Sequence, residues 1–204
     1  MEHEFWYQAW KERKIGFHRK DYHPQLIEGI QKLKLQENST ILVPLCGKSL
    51  DLIYLKELGH HVTGVELSTQ AIEEFNEENK QNPHASKIKL ISGDFFSYKP
   101  ESTFQLIYDR AALVALPKKM RANYAKKNQD LLSKGGKIIL ISFEYDQDKI
   151  SGPPHSVETD EIEKIYDQCS LEIFHKKTDT PNSPRFIESK IDRIIQKSYI
   201  LTKN

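Results

Sequence analysis

The chain has 204 residues, 38% of them hydrophobic and 29% charged, which suits a single globular domain over residues 1–204. A formal net charge of +1 and the lack of any apolar run near the roughly 20 residues of a membrane span argue against nucleic acid and membranes as partners. Two cysteines give neither a disulfide framework nor a zinc spacing, so we expect no metal site. The acidic N-terminus has no signal-peptide pattern, so we expect a cytoplasmic protein. We also expect a monomer.

Residues 1–38 are predicted to form a helical N-terminal extension. Trp6 and Trp10 lie at near-helical spacing in its first part, and an aliphatic repeat of the same period follows. Pro24 suits the first turn of the second helix. The extension therefore precedes the part of the chain in which strands begin.

Strands and helices alternate after this extension. The predicted strands cover residues 41–45, 62–65, 88–91, 104–108 and 137–143. Helices are predicted from Ser49 to Leu58, after an N-cap at Ser68, from Pro117 to about Leu132 with Gly135-Gly136 as the closing signal, and from Val157 to Cys169. Residues 178–185 form a predicted loop between two closing strands, at about 171–176 and 190–202, which are expected to be antiparallel. The pattern indicates an α/β, doubly wound fold with a mainly parallel sheet of seven strands.

The turn after the first predicted strand indicates the class of ligand. Gly47 lies in a small-residue turn between strand and helix, and Glu66 ends the next strand 19 residues later. In doubly wound folds such a turn lets a ligand approach the backbone, and the acid accepts hydrogen bonds from ribose hydroxyls. We therefore expect an adenosine-containing ligand.

Three ligands of this kind compete for the turn. A P-loop requires a glycine where this chain has Leu42, and a dinucleotide fingerprint requires three glycines where only Gly47 is present. S-adenosylmethionine carries no phosphate, so one glycine suffices. Asp94 and Phe95 follow the third strand, where they could hold an adenine, and Arg110 follows the fourth. Ligands of these sheets bind beyond the carboxyl ends of the strands, so S-adenosylmethionine is favoured.

A resemblance to one family covers almost the whole chain. The segments that carry it, in order, are Phe5-Trp6, Ile15-Gly16-Phe17-His18, Pro44-Leu45-Cys46-Gly47-Lys48-Ser49, Gly64-Val65-Glu66, Gly93-Asp94-Phe95-Phe96, Asp109-Arg110-Ala111-Ala112-Leu113 and Gly152-Pro153-Pro154. Together they resemble the thiopurine S-methyltransferase family in its compact bacterial form. The resemblance implies a Rossmann-like sheet and a helical N-terminal lid that folds over S-adenosylmethionine.

The resemblance also implies roles for individual residues. Those expected to contact the cofactor are Trp6, Trp10, Leu45, Gly47, Glu66, Asp94, Phe95 and Arg110. Arg110 is in addition the expected catalytic residue, and Phe17, His155 and Arg185 are expected at the acceptor. His155 stands where the family usually has an aromatic residue, which favours a small polar or partly anionic acceptor over a flat purine.

The implied reaction is direct in-line transfer of the sulfonium methyl group to a small thiol, leaving S-adenosylhomocysteine. Arg110 would stabilise the thiolate, and Asp109 is expected to cap structure rather than to act as a base. Cys46 is expected to fit the turn by shape and not to react. The alternatives are methylation of a selenium or tellurium oxyanion or a halide, an NAD(P)-dependent oxidoreductase, and a non-catalytic cofactor-binding protein.

Overall fold

A computed structural model of the chain describes residues 3–181 and 183–204. The strands are β1 (Thr40–Pro44), β2 (His61–Glu66), β3 (Lys89–Ser92), β4 (Phe104–Arg110), β5 (Leu132–Glu144), β6 (Cys169–Asp179) and β7 (Ile194–Lys203). The helices are α1 (His3–Lys11), α2 (Pro24–Leu33), α3 (Asp51–Glu57), α4 (Thr69–Glu78), α5 (Lys118–Leu131), α6 (Thr159–Ile165) and α7 (Pro184–Glu188). Among these described residues, no helix has the length and apolar character needed to cross a membrane.

The seven strands form one sheet in the order β3-β2-β1-β4-β5-β7-β6. The first five strands in the sequence are parallel, and β7 pairs antiparallel with both β5 and β6. This confirms the predicted doubly wound sheet with an antiparallel end. The strand order reverses between β1 and β4, and such folds bind ligands at the carboxyl ends of the strands on either side of that point.

The central strands are apolar throughout because both faces of the sheet are covered. Leu42 and Ile107 belong to one hydrophobic cluster, whereas their neighbours Ile41 and Leu106 belong to the other. Helix α2 lies close to the second face, since a Cβ on Gly29 would approach Ile139 Cδ1 to 2.9 Å. The sheet is thus held between two cores, as expected of parallel strands.

The third helix ends near residue 132, as predicted, but Gly135-Gly136 do not end it, and β5 begins five residues before the predicted start at Lys137. Helix α5 stops at Leu131, and the chain continues directly into β5, so Gly135 lies within a strand. The Lys203 ammonium group on β7 donates to the carbonyl oxygens of Gln129 and Leu132. A side chain distant in sequence therefore bonds the last carbonyl groups of the helix, and no glycine is needed there.

Two later boundaries also differ from the prediction. Helix α6 begins at Thr159 rather than Val157, because the Val157 backbone N–H donates to the Phe143 carbonyl oxygen on β5. It ends before Cys169, which already belongs to β6. The predicted loop contains the short helix α7, with Pro184 in its first turn, so Arg185 lies on a helix.

The N-terminal extension is helical, as predicted, and is anchored at both ends. Arg13 forms an ion pair with Glu74 on α4 (2.7 Å), and Gln70 donates to the Trp10 carbonyl oxygen (3.3 Å). On the other side, the Glu28 carboxylate of α2 lies 3.2 Å from the His175 ring on β6. Residues 12–23 therefore cross the sheet edge between two attachment points.

Candidate functional site

A cavity of about 1150 Å³ opens at the carboxyl ends of β1 and β4. Its floor is the turn after β1 and the end of β4, and its roof is the N-terminal extension. Pro153 and Pro154 and the start of α7 close a further side. A cavity of this size can accommodate a cofactor together with a small second ligand.

The turn after β1 brings a buried carboxylate to the cavity wall. Glu66 Oε2 accepts a hydrogen bond from the Gly47 backbone N–H (2.8 Å), and Oε1 accepts one from the Ser68 N–H (2.8 Å). Burial raises the pKa of the Glu66 carboxyl, and these N–H groups oppose that shift. Each carboxylate oxygen retains a lone pair, so Glu66 can still accept hydrogen bonds from two ligand hydroxyls.

Gly47 is required by the shape of this turn. Its φ is +53°, and a Cβ there would lie 3.2 Å from the Trp10 ring, which is only 2% exposed. Leu45, two residues earlier, also has a positive φ (+49°), which is unusual for a residue with a branched side chain. The turn is therefore tight, strained and covered by an indole.

Lys48 does not face the position where a phosphate would bind. Its ammonium group donates to Glu74 (2.9 Å) and Glu78 (2.5 Å) on α4, and the side chain is buried. This agrees with the sequence-based rejection of a P-loop. Lys48 instead ties the turn to the helix that follows β2.

Three aromatic residues of the extension meet above the turn. The Phe17 ring centroid lies 6.0 Å from that of Trp6 and 5.9 Å from that of Trp10, both in edge-to-face geometry. All three side chains line the cavity. They form an apolar cover that can exclude water and present π-faces to a cation.

Arg110 lies at the last position of β4, half-buried, and lines the cavity. Within residues 3–181 and 183–204, its guanidinium group has no hydrogen bond or ion pair. Burial lowers its pKa, and the nearby Tyr108 and Asp51 act in the opposite direction. A partly desolvated cation without a counter-ion is a binding position for an anion.

Asp109, the preceding residue, points away from the cavity. Its carboxylate accepts hydrogen bonds from the Leu113 N–H (3.1 Å) and the Tyr124 hydroxyl (2.8 Å). Burial raises its pKa from 3.8 to about 6. These contacts support the expected capping role, because both oxygens hold the loop after β4 in place.

Three of the predicted site residues are not among those that line the cavity. The Phe95 ring is buried in a hydrophobic cluster beside Tyr124, and the Asp94 side chain accepts from the Phe96 N–H (3.1 Å). The His155 ring packs against Gly152, where an added Cβ would meet its Nδ1. The structure therefore brings Trp6, Trp10, Phe17, Leu45, Gly47, Glu66, Arg110 and Arg185 together, but not these three.

Arg185 lines the cavity from α7 and also holds a cavity loop. Its guanidinium group donates to the carbonyl oxygens of Pro153 (2.7 Å) and Gly152 (3.1 Å). Buried Arg121 supports the same loop, since it donates to the carbonyl oxygens of Ser156 (3.2 Å) and Leu116 (3.0 Å). Arg121 thus joins the Gly-Pro-Pro loop to the segment that follows Arg110.

Cys46 is buried beneath the turn, and burial raises the pKa of its thiol. A Cβ on Gly64 of β2 would meet the Cys46 sulfur at 2.7 Å. The thiol therefore fills a narrow space between two strands, in agreement with the expected shape-fitting role.

Among the residues of the cavity wall that sequence reasoning missed are Arg19 and His23. Both follow Phe17 on the crossing segment, and His23 directly precedes α2. The only sequence signal was their position between two predicted helices. Their place on the cavity wall depends on how α2 packs against the sheet.

Comparison with known proteins gives a consistent result. The model of the thiopurine S-methyltransferase family matches residues 1–204. The thiopurine S-methyltransferase of Shewanella baltica (strain OS185) is 36% identical over 218 residues, covering 100% of both chains. That of Vibrio campbellii (strain ATCC BAA-1116) is 38% identical over 210 residues, covering 97% of each.

A solved structure with a similar fold contains the product of the expected cofactor. It is the 1,6-didemethyltoxoflavin-N1-methyltransferase of Burkholderia thailandensis with bound 1,6-didemethyltoxoflavin and S-adenosylhomocysteine. The two structures superpose with a TM-score of 0.70 at 14% identity, covering 99% of this chain and 87% of that one. This likeness confirms the Rossmann-like methyltransferase fold.

Proposed function

Because the chain belongs to the thiopurine S-methyltransferase family and is an S-adenosylmethionine-dependent methyltransferase, we propose that it methylates the sulfur of a small thiol. The single observation that carries the proposal is that Arg110 has no counter-ion among the described residues, in the cavity that also contains the buried Glu66 carboxylate. The Glu66 carboxylate suits the hydroxyls of a ribose, and the Arg110 guanidinium group suits a thiolate.

The residues at the turn fit S-adenosylmethionine. Glu66 would accept the two ribose hydroxyls with the lone pairs that the backbone leaves open. Leu45 and Gly47 let the ligand pass the backbone, and Trp6 and Trp10 would cover it from above. The bound cofactor supplies a methyl group that is already activated by a sulfonium charge.

For the adenine, only one of the two predicted residues, Asp94, is retained as a direct contact. Asp94 lies just beyond Gly93, whose N–H donates to the Glu66 carbonyl oxygen (2.8 Å), so it adjoins the ribose site. Phe95 is 2% exposed and acts as a core residue. We therefore keep Asp94 as a candidate for the adenine and expect Phe95 to position it from behind.

The chain contributes charge stabilisation and alignment to the reaction. The acceptor sulfur attacks the methyl carbon in line with the leaving sulfur, and Arg110 stabilises the attacking thiolate through its unpaired guanidinium charge. Phe17 and the two tryptophans exclude water from this line. No side chain is needed as a base for a thiol that is acidic enough to ionise near neutral pH, and Asp109 is occupied by structural hydrogen bonds.

Calorimetry with S-adenosylhomocysteine tests the cofactor site. We expect Glu66→Ala to weaken binding about 100-fold, because two charge-assisted hydrogen bonds are lost. Glu66→Gln, which retains the shape of the side chain, guards against a folding defect, and Glu73→Ala on the exposed side of α4 is the matched control. Undiminished binding by Glu66→Ala, or none by the wild type, would refute the assignment.

An acceptor screen tests the sulfur specificity. Purified protein is offered aromatic thiols, selenite, tellurite and iodide with S-adenosylmethionine, and methylated products are measured. We expect aromatic thiols to give the highest kcat/KM. A higher value for iodide or for an oxyanion would contradict thiol methylation while leaving the cofactor site intact.

A further inference from the structure

The positive charges in the cavity are unevenly compensated. Among the described residues, five lysines and arginines line it. Lys14 and Lys48 form ion pairs with glutamates, and Arg185 donates to two backbone carbonyl groups. Arg19 and Arg110 have neither an ion pair nor a hydrogen bond within this part of the chain. Arg19 and Arg110 are therefore the two cations of the cavity wall without a polar partner among the described residues.

These two groups and His23 act on a common region of the cavity. All three side chains line it, and His23 is only 5% exposed. Burial lowers the pKa of His23 to about 3, and both Arg110 and Arg19 contribute to that shift. Arg19 likewise lowers the pKa of Arg110. The imidazole is therefore neutral and lies within electrostatic reach of both cations.

The Asp51 carboxylate, which acts on Arg110, does not neutralise this charge. Asp51 is 2% exposed, and its oxygens accept hydrogen bonds from the His23 backbone N–H (2.7 Å) and the Tyr108 hydroxyl (2.8 Å). It moderates the field at Arg110 without forming an ion pair with it. Arg110 is half-buried and Arg19 is exposed, and two guanidinium groups on one cavity wall repel each other unless an anion binds between them.

The ring of His23 also lacks a partner. Its Nδ1 atom is buried and has no hydrogen bond in the described structure. A buried polar atom of this kind is costly unless a ligand orders it or the ring bonds through its other nitrogen. Because Nδ1 itself is buried, a ligand in the cavity can meet this ring only through its other edge.

We propose that Arg19 and His23, beside Arg110, form a subsite for a carboxylate carried by the methyl acceptor. The proposal rests on the proposed function and deepens it, because it makes the acceptor a small thiol with a carboxylate close to its sulfur. Arg110 faces the sulfur, and Arg19 binds the carboxylate through two parallel N–H···O hydrogen bonds, the geometry that guanidinium groups favour. The neutral imidazole donates a further hydrogen bond to the same group.

Paired acceptors and a charge-removing variant test the subsite. We compare kcat/KM for 2-mercaptobenzoate and benzenethiol in the wild type and in Arg19→Gln, so that the intrinsic reactivity of each thiol cancels. We expect Arg19→Gln to lower the value for 2-mercaptobenzoate at least about tenfold and that for benzenethiol less than about threefold. Arg19→Lys should retain part of the preference. Lys20→Gln, the adjacent exposed cation outside the cavity, is the matched control.

Binding measurements separate the two proposals. Calorimetry of 2-mercaptobenzoate on the protein with S-adenosylhomocysteine should show binding that Arg19→Gln weakens by a similar factor. Equal losses for both thiols, or binding that Arg19→Gln leaves unchanged, would overturn the subsite. Weakened binding without methyl transfer to any thiol would support the subsite and refute S-methylation.

Discussion

The turn after β1 and the end of β4 line the same cavity, but the polar groups at the turn are paired within the protein and the guanidinium group at the end of β4 is not. At the turn, Glu66 is held by two backbone N–H groups and Lys48 by two carboxylates. Arg110 at the end of β4 and Arg19 on the crossing segment have no ion pair or hydrogen bond among the described residues. One half of the site is complete without ligand, whereas the other has charge that only a ligand can compensate.

This difference suggests that the turn binds the cofactor and that the end of β4 binds the methyl acceptor. A preformed turn binds a constant ligand at little cost in ordering, which suits a cofactor that every reaction cycle uses. Guanidinium groups without a counter-ion are stabilised when an anion binds to them, which suits a thiolate as the attacking group. The selectivity of the protein should therefore depend on the end of β4 and not on the turn.

The largest expected effect comes from removing the charge at the end of β4. Arg110→Gln should lower kcat/KM for thiols about 10²- to 10³-fold, the loss typical of removing a group that stabilises reacting charge. S-Adenosylhomocysteine affinity should fall by less than about tenfold, because the turn remains intact. Steady-state kinetics and calorimetry measure the two quantities. A variant that keeps most of its activity would show that the two regions do not differ in this way, and Arg110→Lys serves as the charge-retaining control.

A second prediction concerns the pH dependence of stability that Asp109, the neighbour of Arg110, contributes. Burial raises the pKa of Asp109 from 3.8 to about 6, so the folded protein binds this proton more tightly than the unfolded chain does. The stability it contributes is present below about pH 4 and is lost as the pH rises through about 6. Relative to Asp109→Asn, the wild type should therefore gain about 2–3 kcal/mol of unfolding free energy between pH 7 and pH 4.

Chemical denaturation across that pH range measures this gain, and the difference between the two proteins removes the contribution of other carboxylates. The opposite sign, with the wild type losing stability as the pH falls, would indicate a lowered pKa. That result would contradict the dominance of burial at Asp109, and repeating the measurement in Arg110→Gln would show whether an ion pair with Arg110 is the cause.

The smallest effect is expected at His155, which the sequence placed at the acceptor. Its backbone N–H donates to the Val114 carbonyl oxygen (2.6 Å), and its ring packs against Gly152 instead of lining the cavity. His155→Phe should change the ratio of kcat/KM between 2-mercaptobenzoate and benzenethiol by less than about threefold, as for other substitutions outside a binding wall. A tenfold change in this ratio would show that the loop moves its ring into the cavity during the reaction.

Sequence reasoning succeeded where local chain order determines the geometry. Gly47 lies in the turn after β1 and Glu66 ends the neighbouring parallel strand β2, so their proximity follows from the strand-turn-helix-strand pattern alone. It also predicted the end of α5 near residue 132, but it assigned that end to Gly135-Gly136 instead of to a distant contact. Lys203 ends helix α5 from the last strand of the sheet, and nothing near residue 131 in the sequence signals this.

The same limit applies to the cavity wall. Arg19 and His23 reach it because α2 docks on the sheet and the His23 N–H bonds to Asp51, which is 28 residues away in the chain. Phe95 follows a strand end, as a ligand-binding aromatic would, yet its ring turns into the core beside Tyr124. Which way a side chain turns at a strand end is set by packing, which the periodicity of a sequence does not contain.

The outer strands of the sheet have a consequence for the behaviour of the protein at high concentration. On one side β3 is only four residues long, and on the other β6 bears a register shift between Ile173 and His175. The exposed Lys176 and Lys177 project along this long edge. Short, kinked and charged borders are poor templates for another strand, so they protect the sheet against edge-to-edge aggregation.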